Sequence, residues 1–114
     1  MKDCGDRAEH LAATFLERHG LKLVAQNYRC RFGEIDLILK DRGTLVFAEV
    51  RLRQNERFGG AAASVTAQKR ARLLRTAQCY LGDQANQPPC RFDVVLLNKL
   101  DEAAIEWIKS AFGE

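Results

Sequence analysis

Asp36 and Glu49 are the residues of this 114-residue chain whose types and spacing point most directly to chemistry. They sit in Gly33-Glu34-Ile35-Asp36-Leu37-Ile38 and Phe47-Ala48-Glu49-Val50-Arg51, joined by the turn-like Lys40-Asp41-Arg42-Gly43-Thr44. Both segments alternate apolar and polar residues with the period of a strand. Ile35, Leu37 and Leu39 are therefore expected on one face, with Glu34 and Asp36 on the other. In the second segment Val46, Ala48, Val50 and Leu52 share a face opposite Phe47, Glu49, Arg51 and Arg53. A hairpin turning about Arg42-Gly43 sets Asp36 directly across from Glu49, with Cβ atoms roughly 4.5–5.5 Å apart. Two carboxylates at that spacing repel unless a proton, a cation or solvent compensates them. A hard divalent ion such as Mg²⁺, held by one or two carboxylates and several waters, is one answer. A solvated polar face in a slipped register is the other.

The elements that must position these acids follow from periodicity. From Asp6 to His19, Ala8, Leu11, Ala12, Phe15 and Leu16 recur at helical spacing, and Gly20 supplies a stop. Leu21 to Tyr28 reads as a strand leading into the acidic hairpin. The Gln54–Gly60 stretch, with Phe58-Gly59-Gly60, reads as a mobile connection. A second helix is expected over Ser64–Leu81, with Val65, Leu73, Ala77, Tyr80 and Leu81 on one stripe. At 100° per residue, Lys69 lies about 40° from both Val65 and Leu73, inside that stripe, while Arg72 and Arg75 fall outside it. An inward lysine either snorkels past the core edge or reaches a charged site on the sheet. After the Pro88-Pro89 break, Arg91 to Leu97 is apolar enough for a central strand. Ala104 to Phe112 is read as a strand in preference to a short helix. The order of helix, strands, helix and strand argues a single domain, residues 1–114, of α/β or α+β layers.

Bulk properties narrow the function. A hydrophobic fraction of 46% and a charged fraction of 29% are those of a soluble globular protein. No apolar run is long enough for a membrane span, and the N-terminus lacks the plan of a signal peptide, so a cytoplasmic protein with no membrane partner is expected. Cys4, Cys30, Cys79 and Cys90 show no C-x-x-C spacing, and His10 and His19 complete no zinc pattern, which favours free thiols. The net charge is only +3, but it is unevenly distributed. Arg51, Arg53, Arg57, Lys69, Arg70, Arg72 and Arg75 face the single acid Glu56 across 51–75, so the rest of the chain is net acidic. A basic segment directly downstream of acidic strands suits a phosphate-backbone binder; an Arg-rich solvated helix face is the bland alternative.

Taken together, the Gly33–Ile38 run, Val46-Phe47-Ala48-Glu49-Val50-Arg51-x-Arg53, Phe58-Gly59, Lys69 and Arg91-Phe92-Asp93-Val94-Val95 resemble the YraN-like family of small bacterial proteins. The resemblance runs from the first helix to the last strand. It implies a three-layer α/β, restriction-endonuclease-like fold, with a mixed central β-sheet flanked by helices. It also implies a likeness to archaeal Holliday-junction resolvases. On that resemblance Asp36 takes the strand aspartate of the PD-(D/E)XK signature, Glu49 its second acid and Arg51 the position usually held by lysine. Glu9 matches an acid placed beside the metal on the first helix, and the Val50 carbonyl a third ligand. Glu34 is either an outer ligand or a structural polar residue, the latter being favoured.

The activity so implied is Mg²⁺-dependent phosphodiester hydrolysis, with Mn²⁺ able to substitute, by a symmetric homodimer. DNA is expected in preference to RNA, with branched DNA among the candidate substrates. Arg51, Arg53, Arg57, Lys69, Arg70 and Arg72 would contact the nucleic acid. Arg51 stays protonated and cannot act as a general base, which leaves Lys69 to supply an ammonium from the neighbouring helix. A non-catalytic nucleic-acid-binding module, or a protein-interaction domain whose acids merely pair with Arg51 and Arg53, are the competing expectations.

Overall fold

The computed structural model describes residues 4–52, 66–82, 87–98 and 105–112. In chain order the elements are α1 (Cys4–Arg18), β1 (Lys22–Cys30), β2 (Gly33–Asp41), β3 (Thr44–Leu52), α2 (Ala67–Leu81), β4 (Cys90–Leu97) and β5 (Ile105–Phe112). The five strands form one sheet in the order β1-β2-β3-β4-β5. Only β3 and β4 run parallel; every other neighbouring pair is antiparallel. α2 lies in the β3–β4 connection, because joining parallel neighbours requires a crossover that returns the chain to the same end of the sheet.

Strand alternation sends side chains to two cores. Leu37, Leu39, Val46, Ala48, Val95 and Leu97 pack against Ala8, Ala12, Ala13 and Leu16 of α1. Ile38, Leu45, Phe47, Phe92, Val94 and Leu96 pack against Leu73 and Ala77 of α2. The fold is therefore α/β in three layers, a mixed central sheet flanked by a helix on each face, as the family resemblance implies and within the α/β or α+β classes that element order allows. The described members of both predicted stripes are buried or packed partly buried against the two cores, although α1 starts at Cys4 rather than Asp6. α2 starts at Ala67, behind an N-cap in which Thr66 Oγ1 accepts the Lys69 N–H at 3.1 Å. Ser64, Val65 and the 54–60 connection lie outside the described residues. Gly20 ends α1 at φ 94°, with the Leu21 N–H bonded back to Leu16 and the Gly20 N–H to Glu17, a Schellman arrangement.

One face assignment is corrected. Ile35 does not join Leu37 and Leu39 but packs in the α2-side core. In β1, Asn27 adopts a left-handed φ of 52°, and the β1–β2 ladder passes over Asn27 and Asp36. The interruption breaks strict alternation beside Asp36. Ile35 is left opposite Tyr28, whose ring meets Tyr80 of α2 edge-on at 5.1 Å.

Candidate metal centre

The hairpin register is the predicted one: Asp41 pairs with Thr44, Lys40 with Leu45, and so on to Leu37 with Ala48. There the β2–β3 ladder stops, one step short of the expected Asp36–Glu49 pair. β3 nevertheless remains paired to β4 as far as Leu52. The Val50 N–H accordingly goes to a side chain, donating to Asp36 Oδ2 at 2.8 Å. The acids meet where β2 and β3 cease to be hydrogen-bonded, and an acid side chain takes the place of a strand carbonyl.

Glu49 is only 5% exposed. Its Oε2 lies 2.7 Å from Lys69 Nζ and 3.7 Å from Arg51 Nη1. The inward position deduced for Lys69 thus ends on the acid of the sheet, and the lysine is the closer of the two cations. Asp36 has less help. Burial, then the adjacent Glu49 charge, push its carboxyl up to about 8, with smaller contributions from Glu9 and Glu34; the Val50 N–H opposes them. Glu9 on α1 is thus near enough for its charge to act on Asp36. A cavity of about 190 Å³ opens over the pair, lined by Gly33, Glu34, Asp36, Glu49, Lys69, Arg72 and Leu73. Glu34, which also lines this cavity, is paired with the exposed Arg29 at 3.5 Å.

Two residues that build this cavity escape the sequence reading. Thr76 is fully buried on the α2 stripe and satisfies its hydroxyl by donating to the Arg72 carbonyl at 2.7 Å. Opposite it, Gly33 has a φ of 152°, and a Cβ there would come within 3.2 Å of Thr76 Oγ1. Glycine lets the start of β2 approach α2 closely enough to put Asp36 and Glu49 under Lys69. The signal was present in the Gly33 that precedes Glu34-Ile35-Asp36, but its meaning depends on a helix distant in sequence.

Not every candidate is gathered here. Arg72 lines the cavity, whereas Arg70 is exposed on α2 and is not among the lining residues. Arg53 and Arg57 lie outside the described residues. Among the described residues no three His, Cys, Asp or Glu side chains converge as a metal cage. The donor set nevertheless suits a hard divalent cation: two adjacent carboxylates, one of them short of donors, in a cavity with room for water. Among the described residues Cys30, Cys79 and Cys90 form no disulfide. Among the described residues no helix is long and apolar enough to cross a membrane.

A second buried acid was read only as part of a strand motif. Asp93 has no exposed surface. It accepts Arg91 Nε at 3.1 and 3.2 Å, Trp107 Nε1 at 3.0 Å and the Ser110 N–H at 3.0 Å, while Arg91 Nη1 reaches Asp41 at 2.9 Å. The network ties β4 to the β5 irregularity at Ser110 and to the end of β2.

Residues 8–97 match the model of a family described as "Uncharacterised protein family UPF0102". The chain belongs to this family. A UPF0102 protein of Nitrosomonas europaea is 56% identical over 110 residues, covering 96% of this chain and 93% of that protein. A UPF0102 protein of Methylobacillus flagellatus is 54% identical over 113 residues, covering 99% of each. One of Cupriavidus pinatubonensis is 52% identical over 109 residues, covering 95% of this chain and 84% of its own length. The UPF0102 match begins within α1 and closes at the end of β4, so it encloses Glu9, Asp36, Glu49, Lys69 and the Arg91–Asp93 pair.

Proposed function

We propose that this protein is a divalent-metal-dependent endonuclease of restriction-endonuclease-like architecture, hydrolysing phosphodiester bonds in DNA. The observation that carries the reading is the Asp36–Glu49 pair. Two carboxylates are held together at the end of a ladder, Asp36 by a single backbone N–H, with an ammonium on one side and an open cavity on the other. A buried like-charge pair is electrostatically unfavourable unless a proton or a cation joins it, and a divalent cation can take the place of the proton that the pair otherwise holds. Asp36 and Glu49 would hold Mg²⁺ or Mn²⁺, with Glu9 nearby and the Val50 carbonyl as a further donor. Such an ion supplies Lewis-acid activation of water and charge neutralisation at phosphorus. Lys69 balances and aligns the Glu49 carboxylate and leaves an ammonium facing the cavity, the part that lysine plays in the signature. Arg72 at the rim offers a planar fork for a phosphate oxygen.

The test is incubation of the purified protein with linear, flapped and four-way DNA, and with RNA, in Mg²⁺ and in Mn²⁺, beside an Asp36→Ala/Glu49→Ala double variant. Metal-dependent cleavage that the double variant loses is the expected result. A second reading has its own observation in its favour. Lys69 and Arg51 both lie against Glu49 Oε2, so part of the acidic charge is already balanced by protein cations. A binding module without turnover would give salt-sensitive retention of DNA and no cleavage by the parent protein.

A further inference from the structure

Beside the acidic cavity lies a second one of about 730 Å³, lined by Arg31, Phe32, Arg75, Gln78 and Cys79. The two are lined by different residues, drawn in both from α2 and from the start of β2 with its preceding turn. Phe32 is bonded to Gly33 of the acidic cavity, and Arg75 follows Arg72 by one turn of α2. Lys69, Arg72 and Arg75 therefore form a row of cations along one helix, about 4.5 Å apart in axial rise. Lys69 is used by Glu49. Among the described residues Arg31, Arg72 and Arg75 form no ion pair with a carboxylate.

Arg31 and Phe32 occupy the two-residue tip of the β1–β2 hairpin, between the paired Cys30 and Gly33. The tip is braced by the Phe32 N–H, which donates to Cys30 Sγ at 3.4 Å. The Arg31 guanidinium lies over the Phe32 ring, 5.0 Å from its centroid. Phe32 is half-buried and Arg31 exposed, so the pair is a prepositioned stack open to the cavity. Aromatic rings and guanidinium planes are the surfaces on which unstacked bases settle, and arginines beside them take the backbone.

We propose that this second cavity is a subsite for one unpaired nucleotide adjoining the phosphate at Asp36 and Glu49. Its base stacks on the Arg31–Phe32 platform, its phosphate is taken by Arg72 and Arg75, and Gln78 offers an amide to the base edge. The proposal rests on the nuclease reading and deepens it: the substrate class is nucleic acid with single-stranded character next to the scissile bond. A fully paired base has both faces covered by its neighbours and cannot use the platform. Because every base has a π-face, the subsite confers preference for structure, not for sequence.

Binding of a fluorescein-labelled 12-nucleotide oligothymidylate, and of the same strand in duplex, is measured by anisotropy in EDTA, where hydrolysis cannot intervene. The parent protein is expected to favour the single strand. Phe32→Ala should weaken single-strand binding by about tenfold or more, and leave duplex binding within about twofold. Phe32→Trp, which keeps a stacking face, should restore it, and circular dichroism on each variant verifies the fold. Arg72→Ala/Arg75→Ala should lower the slope of log affinity against log salt by about one for each phosphate no longer neutralised. Single-strand affinity unchanged by Phe32→Ala, equal losses on single strand and duplex, or no binding by the parent protein would overturn the subsite. A parent protein that binds through Phe32 but cleaves nothing in Mg²⁺ or Mn²⁺ overturns hydrolysis alone. One that cleaves identically with and without the Phe32 ring overturns the subsite alone.

Discussion

Asp36 and Asp93 are both carboxylates set into the sheet, and they differ in what surrounds them. Asp93 is the more deeply buried, yet three groups donate to it: the Arg91 guanidinium, the Trp107 indole and the Ser110 N–H. Asp36 has one backbone donor, the Val50 N–H, and the neighbouring carboxylates Glu49, Glu9 and Glu34, whose charges act against its own. A buried charge persists when donors replace the water it has lost. Asp93 meets that condition with protein groups alone and acts as a clamp between strands. Asp36 does not meet it, and the shortfall is what a cation entering the cavity would correct. Burial depth is therefore a poor guide to function here, and the count of donors a better one.

The largest expected effect falls on the clamp. Asp93→Ala strips Arg91 of one of its two acids and leaves Trp107 Nε1 and the Ser110 N–H without their acceptor. A loss of roughly 3–5 kcal/mol follows, a large part of the roughly 5–15 kcal/mol that holds a domain together. Urea denaturation measures it, and a midpoint close to the parent's would show that the network is dispensable.

Asp36→Asn should behave in the opposite sense. Cleavage should fall by on the order of 10³-fold, about 4 kcal/mol of transition-state stabilisation. Stability should not fall with it. The native carboxyl titrates near 8 and that of the unfolded chain near 3.9, so between those values the native state holds a proton that the unfolded state has released. Stability contributed by this group is complete below about pH 4 and is lost as pH rises toward 8. Asparagine mimics the protonated form, so the variant should match the parent near pH 4 and exceed it increasingly up to pH 8. Thermal melts across that range in EDTA decide the matter. Adding Mg²⁺ at about pH 8 should then raise the parent's melting temperature and leave that of Asp36→Asn/Glu49→Gln unmoved. Equal Mg²⁺ shifts in both would break the contrast between the two acids.

Lys69→Ala tests the one cation firmly attached to the site. Glu49 would lose its 2.7 Å partner while remaining buried, lowering stability by about 1–3 kcal/mol. Cleavage should fall about 10- to 100-fold, the usual cost of removing a group that orients a metal-binding side chain. Activity equal to the parent's would remove lysine from the mechanism.

How much of this could be read beforehand depends on how local each cause is. The register about Arg42-Gly43 and the inward angle of Lys69 follow from strand and helix periods, and the structure shows both. So do the described parts of the two helix stripes, while the interior position of β4, paired on both edges, follows from its unbroken apolar run. Ile35 went to the other core because a left-handed Asn27 in the neighbouring strand breaks the alternation, and no pattern within β2 announces that. The stop of the ladder at Leu37–Ala48 is similarly invisible, since it depends on Asp36 capturing the Val50 N–H. The role of Asp93 required knowing that Trp107 and a bulged Ser110 would arrive from β5 and Asp41 from the end of β2, partners supplied by topology.

The smallest effect is expected at Arg51, which on the proposed nuclease reading stands where a lysine is usual. Its guanidinium is 3.7 Å from Glu49 and its side chain 36% exposed, against 2.7 Å and 28% for Lys69. An ion pair that long and that open is worth about 1 kcal/mol or less. Arg51→Lys should therefore change cleavage by less than about tenfold if Lys69 already supplies the ammonium. In a Lys69→Ala background the same substitution should matter more, because lysine at 51 would then be the nearer source of a compact positive charge. A double-mutant cycle reads this directly. Coupling between positions 51 and 69 means that two elements compete to serve one carboxylate. Strict additivity, with Arg51→Lys giving the same factor in both backgrounds, would mean that Glu49 is indifferent to the residue at 51 and that Arg51 acts elsewhere, on the nucleic acid.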